Sequence, residues 1–369
     1  MSADRLWELA GPRVFARGVE NAVRERCNVV VPTLDGRAPS RLGAGLKAFL
    51  EGGQQYVCLA ETDTAASLEA LRVGWGTGEG TTIPDYCQSV GSLTLILVVN
   101  AGVDFATWAD FMVRWQNGTR QIPAESRPCV VVIGQCPMSE RSRLRADVAL
   151  RITEWDGVVT LADIESLAMA EMRRDSATGT VRKVLARIVA EVAQGDASLA
   201  TYLAGRPPAE IAWPQQAVKR WLADLHIQQL PVPDEIWVEG AVHRHPAQIT
   251  QAAEGQKAIR DWVWRAQASV LMPWADVHRQ RHLHCVRKRL ILENAFGEAV
   301  GSVDELEIGE ISHQLIRTGP YDDAQRFFFR LKKLRNRMAH RDPLNMNELT
   351  SDIAFIESFS PILGDGFNP

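Results

Sequence analysis

Two periodicities of hydrophobic and polar positions divide the chain. Five short apolar runs rich in β-branched residues predict strands in the N-terminal part, at residues 27–33, 55–60, 93–101, 128–135 and 148–153. Helical patterns lie between them, at residues 40–52, 66–74 and 105–118. Apolar strands that alternate with helices are typical of a buried sheet covered by helices. The expected fold of this part is an α/β domain with a mostly parallel sheet.

The C-terminal part shows only the helical periodicity. A long helical pattern that Pro273 interrupts or kinks is followed by a helix with an acidic start and by a last helix, at residues 257–296, 302–319 and 345–363. A further helix opens at Asp322 and Asp323, and its apolar stripe consists of Ala324, Phe327, Phe328, Leu331, Leu334 and Met338. Four or five such helices predict an all-α bundle with up-down topology.

These patterns predict three parts of the chain. Residues 1–160 form the α/β domain, residues 161–235 a helical appendage with a linker, and residues 236–369 the helical domain. The polar, proline-bearing stretch at residues 228–246 is the best domain boundary, because such sequences connect compact units.

The composition is that of a globular protein in water. The 369 residues are 46% hydrophobic and carry a formal net charge of -4, which suits two or three packed domains. No apolar run reaches the roughly 18 residues of a membrane span. The start MSADRLWELAG lacks a basic region followed by a hydrophobic one. We therefore expect no membrane partner and a cytoplasmic location.

Cysteine and histidine spacing does not predict a metal site. The six cysteines are scattered without a C-x-x-C pair, and most are expected to be buried as small hydrophobes. His278 and His282 lie four residues apart, as in helical metal pairs, but no carboxylate pattern such as HExxH accompanies them. The protein is expected to bind neither a metal nor a cofactor.

The segment FFFRLKKLRNRMAHRDPL near the C-terminus combines residue types that suit RNA cleavage. Splitting an RNA strand through its own 2′-hydroxyl needs a group that exchanges a proton near neutral pH, and His340 would be that group. Negative charge builds on the phosphate, and Arg335 would supply donors that stay protonated. Asn336 precedes His340 by four residues and shares a helix face with it, so the amide would orient the imidazole or bind RNA.

The same residues resemble the RNxxxH-xx-PL signature of the HEPN superfamily. Arg335, Asn336 and His340 occupy its conserved letters and Pro343 with Leu344 closes it, and the resemblance covers roughly residues 250 to 369. It implies a helical-bundle RNase that acts without metal, as a homodimer, in toxin, abortive-infection or other antiviral defence systems. A basic, solvated helix end whose histidine interacts with the helix dipole is the alternative.

Helix geometry complicates this interpretation. At about 100° per residue, Arg335 lies at the edge of the apolar stripe and His340 on roughly the opposite face. A distorted last turn before Pro343, with the helix ending just after His340, is one way to bring the two together. A dimer in which two copies pool these residues in a shared cleft is the other.

The N-terminal part is similar at fold level to a P-loop NTPase module of the STAND type that has lost its catalytic motifs. The loop after the first strand, at residues 32–43, lacks GxxxxGK[ST]. The glycine-rich loop at residues 74–82 has no lysine, and Asn100 follows the third strand where a magnesium-binding acid would be needed. An unrelated α/β domain used for contacts is the alternative.

Together these features predict an endoribonuclease effector with an N-terminal regulatory or docking domain. Basic stretches at residues 278–290 and 326–341 offer positive surface for RNA phosphates despite the net acidity. Expected partners are the RNA substrate, a second copy of the chain, and an NTPase or regulator bound by the N-terminal domain. The alternative is a non-catalytic adaptor or scaffold that binds a partner NTPase or nucleic acid.

Overall fold

The structure is a computed structural model. It describes residues 6–33, 42–52, 57–58, 82–90, 94–98, 105–135, 149–155, 157–172, 179–227, 235–238, 241–294, 296–318 and 322–359. The predicted helix at residues 66–74, Asn100 and most of the two candidate phosphate loops lie outside these residues. The chain divides into two compact units, Met1–Asp163 with Trp237–Val242 and Ile164–Ile236 with His243–Pro369.

The first unit contains a parallel sheet of five described strands. They are β1 (Asn28–Thr33), β2 (Val57–Cys58), β3 (Thr94–Val98), β4 (Cys129–Gln135) and β5 (Leu150–Ile152). Their spatial order is β2-β3-β4-β1-β5, and every neighbouring pair is parallel. Each strand lies inside one of the five predicted runs, so the expected parallel α/β layout of this part is confirmed.

Two interior strands of the sheet, β1 and β4, explain why these runs have so few polar positions. The valines of β1 and β4, at residues 29–31 and 130–132, are fully buried because helices cover the sheet. Asn28 is the polar exception at the start of β1. Its amide nitrogen donates to the Ala149 carbonyl at 3.2 Å and its oxygen accepts from the Val130 N–H at 3.0 Å. The side chain therefore ties β1 to the strands on both sides.

In the described part of the chain, four helices accompany the sheet and a fifth follows it at the boundary between the two units. They are α1 (Ala10–Arg24), α2 (Leu42–Gly52), α3 (Ile83–Val90), α4 (Phe105–Thr119) and α5 (Leu161–Glu171). α2 and α4 lie where helices were predicted. α1 is absent from the sequence predictions, although Phe15, Val19, Ala22 and Val23 recur at helical spacing and are buried.

The second unit is helical in the part of the chain that is described. Its helices are α6 (Gly179–Ala193), α7 (Ala197–Ala204), α8 (Pro208–Ala212), α9 (Gln215–Ile227), α10 (Pro246–Gln251), α11 (Gly255–His282), α12 (Ile308–Thr318), α13 (Asp323–Ala339) and α14 (Met346–Ser358). Two short strands, β6 (Glu235–Val238) and β7 (Ala241–Arg244), pair within the predicted domain boundary at residues 228–246, and Trp237–Val242 is grouped with the first unit. The expected helical C-terminal layout is confirmed.

α11 and α13 form the centre of this unit. α11 packs against α6 and α13, and α13 also packs against α12 and α14. The predicted stripe of α13 is buried at Phe327, Phe328, Leu331, Leu334 and Met338. Ala324, the stripe's first member, is half-buried.

α11 differs from its prediction at its C-terminal end. At Pro273, where an interruption or kink was expected, the helix is not interrupted. Pro273 is exposed, so water can satisfy the carbonyl that a missing N–H leaves without a donor. The helix also ends earlier than predicted, at His282, and two 3-10 turns follow at Leu283–Cys285 and Arg287–Arg289.

The predicted appendage groups with the helical domain. Residues 164–236 belong to the same compact unit as the residues after 243. The reason is visible in α6, which is buried nearly all round and packs along α11. A helix that is apolar on all sides needs neighbours on all sides.

Candidate active site

The motif lies at the end of α13, where the chain forms a Schellman motif. His340 is the C-cap, and its N–H donates to the Asn336 carbonyl at 2.9 Å. Arg341 follows with a φ of 57°, in the left-handed region. The N–H of Asp342 then reaches back to the Arg337 carbonyl at 2.9 Å. The helix therefore ends at the point the proline position predicted.

Side chains of α11 hold the turn that follows. Gln267 is fully buried; its amide nitrogen donates to the Leu344 carbonyl at 2.8 Å, and its oxygen accepts from the Leu344 N–H at 2.7 Å. The indole nitrogen of Trp264 donates to the Met338 carbonyl at 2.6 Å. These bonds fix the backbone on both sides of His340 relative to α11.

An open groove runs along the exposed face of α13. It has a volume of about 360 Å³ and is lined by Lys332, Lys333, Asn336, Arg337, His340 and Asp342, together with the ring of Phe329. We call it the motif groove. Its members on α13 are three or four residues apart because such residues share one face of a helix. Three basic side chains and one carboxylate line it, so the groove suits an anionic ligand.

Arg335 does not line the motif groove. Its guanidinium pairs with Glu307 at 2.8 Å, and at about 100° per residue it is about 140° around the helix from His340. Within one chain the structure therefore brings Asn336 and His340 together and leaves Arg335 apart. The distorted last turn does not close this separation, because α13 is helical through Ala339.

Arg337 fixes the floor of the groove. Its guanidinium pairs with Asp342 at 2.8 Å and with Glu348 at 2.5 Å, and it donates to the Pro343 carbonyl at 2.8 Å. Burial acts to raise the pKa of Glu348, but hydrogen bonds from the Asn345 N–H and from Arg337 outweigh it and keep the pKa below its usual value. Arg337 thus positions the turn that carries His340.

Sequence reasoning did not single out several members of the groove. Lys332, Lys333 and Arg337 were noted only as part of a basic stretch, and Phe329 was not considered. The available signal was the spacing from His340 back to Asn336, Lys333 and Phe329, which marks one helix face.

The histidines of α11 are core residues. His278 and His282 are buried, and burial is the main cause that lowers the pKa of each. The ring of His282 meets Phe327 and Phe359 edge-on, with centroids 4.9 and 5.0 Å away. Among the residues described, no three His, Cys, Asp or Glu side chains are grouped so that they would hold a metal ion.

The cysteines offer no activated thiol where their environment is known. Burial raises the pKa of both Cys87 and Cys129 to about 11, which disfavours the thiolate. Cys27 is also buried and Cys285 is half-buried.

Comparison with known proteins gives no relative. No protein-family model, no curated protein and no solved structure matches this chain. Within the described residues, no helix has both the length and the apolar character that crossing a membrane demands.

Proposed function

We propose that the protein is a metal-independent endoribonuclease whose catalytic centre lies in the motif groove. The observation that carries the proposal is that Asn336 and His340 line one groove with Lys332, Lys333 and Arg337. Such a groove attracts a phosphodiester, and an imidazole at its edge meets the need for proton transfer.

The proposed reaction uses the RNA's own hydroxyl as nucleophile. His340 takes the proton of the 2′-hydroxyl, the 2′-oxygen bonds to phosphorus, and the bond from phosphorus to the 5′-oxygen breaks. The departing 5′-oxygen takes up a proton from solvent and His340 returns its proton to solvent, so no net proton is exchanged and no water is consumed. The products are a 2′,3′-cyclic phosphate and a 5′-hydroxyl.

We assign to two lysines the role of stabilising the charge that builds on the phosphate. Lys332 and Lys333 line the groove, about one helical turn before Asn336 and about two turns before His340. Arg337 is engaged with Asp342 and Glu348, so its proposed role is to position the turn. Asn336, half-buried beside His340, orients the imidazole or binds the RNA.

Arg335 enters this proposal through a second copy of the chain. Its ion pair with Glu307 is solvent-exposed, with 36% and 64% of the two side chains accessible. Such a pair contributes less than about 1 kcal/mol, so a phosphate or a partner copy can displace Glu307. The HEPN resemblance supports a homodimer in which Arg335 of one copy faces His340 of the other.

The HEPN resemblance also supports a role as an effector of a prokaryotic anti-phage or toxin-type defence system. The first unit would then regulate the RNase or dock a partner protein. Its interior strand β1 precedes helix α2, which is the strand–loop–helix order of a P-loop module. This order supports a likeness to an inactive NTPase that binds a partner NTPase or regulator.

The test is RNA cleavage in EDTA by the wild type and two variants. We expect purified protein to cut mixed cellular RNA and leave 2′,3′-cyclic phosphate and 5′-hydroxyl ends. His340→Ala should cut at least about 100-fold more slowly, because a general acid or base contributes that much. His313→Ala is the matched control, since His313 is an exposed helical histidine of the same unit outside the groove.

Two results would contradict the proposal. Cleavage that survives in His340→Ala would show that the groove is not the catalytic centre. A wild type that binds RNA or a partner protein without cleaving, at concentrations where it dimerises, would favour the adaptor or scaffold.

A further inference from the structure

A second groove adjoins the motif groove on the helical unit. It has a volume of about 540 Å³, and its lining includes Trp213, Gln256, Lys257, Arg260, Asp342 and Pro343. Trp213 follows α8, and the next three residues stand on the first turns of α11. Residues from the end of α8, the start of α11 and the turn after His340 therefore form the second groove.

One carboxylate joins the two grooves. Asp342 lines both of them. Arg260 of the second groove approaches one of its oxygens at 3.3 Å, and Arg337 of the motif groove approaches the other at 2.8 Å. The charge of Asp342 is thus offset from both sides, and it does not separate the grooves as a negative barrier.

The two grooves together carry a positive charge that suits a bound polyanion. Lys257 and Arg260 in the second groove continue the positive side chains of the motif groove, and Asp342 is the acidic residue among the lining side chains. A positive groove of this kind follows the backbone of a single nucleic-acid strand.

Trp213 adds what a purely electrostatic surface lacks. Its side chain is a large aromatic group that is 39% exposed at the groove. Exposed indoles beside cationic side chains are stacking platforms for unpaired bases, since every base has a flat π-face. A folded protein or a double helix does not present such a base.

We propose that the second groove binds the single-stranded RNA that extends from the cleavage position in the motif groove. Lys257 and Arg260 contact its phosphates, and Trp213 stacks on one of its bases. This inference rests on the proposed function, because it takes the strand in the motif groove to be RNA.

The experiment measures RNA binding by the full chain, with His340→Ala as the parent so that the probe stays intact. Fluorescence anisotropy is recorded with labelled oligouridylates of about 4 and about 12 nucleotides, lengths that span the usual site sizes. The parent should bind the longer probe more tightly. Trp213→Ala should lose about tenfold in affinity for that probe and little for the shorter one.

Further variants separate stacking from charge and from misfolding. Trp213→Phe should restore most of the affinity because it keeps an aromatic face. Lys257→Gln should lower the dependence of log affinity on log salt by about 0.7, the value for one phosphate on a single strand. Lys219→Gln, at an exposed lysine of α9 outside both grooves, should behave as the parent.

The outcomes distinguish this inference from the function on which it rests. If neither probe binds the parent, the proposed function fails. If the longer probe binds more tightly but Trp213→Ala and Lys257→Gln do not alter that gain, the second groove is not the path and only this inference fails. Equal competition by oligoglutamate of the same charge would also overturn it, because bases would then contribute nothing.

Discussion

Arg341 occupies the one position after α13 that most favours glycine. Its φ of 57° lies in the left-handed region, which costs a residue with a Cβ about 1 kcal/mol. Part of this cost is offset because its guanidinium stands 5.1 Å above the ring of Trp264. The turn that carries His340 is therefore kept in place against local strain.

Substitutions at Arg341 should reveal this strain. Arg341→Ala and Arg341→Gly both remove the contact with Trp264, but only glycine relieves the backbone, so the glycine variant should be more stable by about 1 kcal/mol. Urea unfolding measures the difference. The same pair at Arg335, inside α13, should show the opposite order. A more stable alanine variant at both positions would show that Arg341 is not strained.

At the scale of single residues, the sequence predicted that Asn336 and His340 share a helix face, but it did not predict the partner of Arg335. Residues four apart share a helix face whatever the fold, which is why the first pair was accessible from spacing. The partner of Arg335 is Glu307, and the turn after His340 is held by Gln267. These contacts join distant parts of the chain, and no local pattern encodes them.

At the scale of elements, the strands of the sheet were predicted best and the starts of helices were predicted worst. The valine runs of β1 and β4 are typical of a buried sheet, and all five described strands of that sheet were predicted, whereas β6 and β7 were not. α12 was expected from residue 302 but begins at Ile308, after a 3-10 turn at Val303–Glu305. Two starting signals compete there: Ser302 caps the turn, and Glu310 accepts the Glu307 N–H at 2.8 Å.

Two helix starts of the second unit are linked by a pair of side chains, the buried His245 and the half-buried Asp196. Asp196 caps α7 by accepting the Ser198 and Leu199 N–H groups at 2.7 and 2.9 Å. The Nδ1 of His245 caps α10 by accepting the Ala247 N–H, so its Nε2 donates to Asp196 at 3.1 Å. Burial acts to raise the pKa of Asp196, but these hydrogen bonds outweigh it and lower the pKa.

The lowered pKa gives the pair a defined pH dependence. A carboxyl whose pKa falls on folding stabilises the protein fully above its unfolded pKa, near 3.8, and loses that contribution as pH falls through the folded pKa. Asp196→Asn keeps a capping side chain but loses the charge, so it should be less stable by about 2 kcal/mol at pH 7.

Urea unfolding of both proteins from pH 7 down to about 3 tests this expectation. Other carboxyls titrate in both proteins and cancel in the difference. The gap between the wild type and Asp196→Asn should therefore narrow as the pH drops below about 4. A gap that stays constant over this range would mean that Asp196 contributes only as a neutral cap.

The division of the whole molecule was only partly visible in the sequence. The change from strand–helix alternation to helices alone marks the two kinds of unit, but α6 was placed in an appendage because its partner α11 lies far along the chain. Long-range packing decides to which unit a helix belongs. Association between copies is one step further from any local pattern.

Mixing two inactive variants tests whether two copies share the catalytic centre. If Arg335 of one copy acts with His340 of the other, a dimer of Arg335→Ala with His340→Ala contains one intact centre. With random exchange, half of the dimers are mixed and have one of two centres, so the mixture should recover about a quarter of wild-type RNA cleavage. Each variant alone should stay inactive.

The geometry of α13 is the reason to expect recovery. Arg335 and His340 face away from each other within one helix, so one copy does not supply both to one phosphate. Energy transfer between labelled copies shows that exchange has occurred. A mixture that exchanges subunits without regaining activity would place both residues in the same copy, and Arg335 would then have to leave Glu307 and move towards the motif groove.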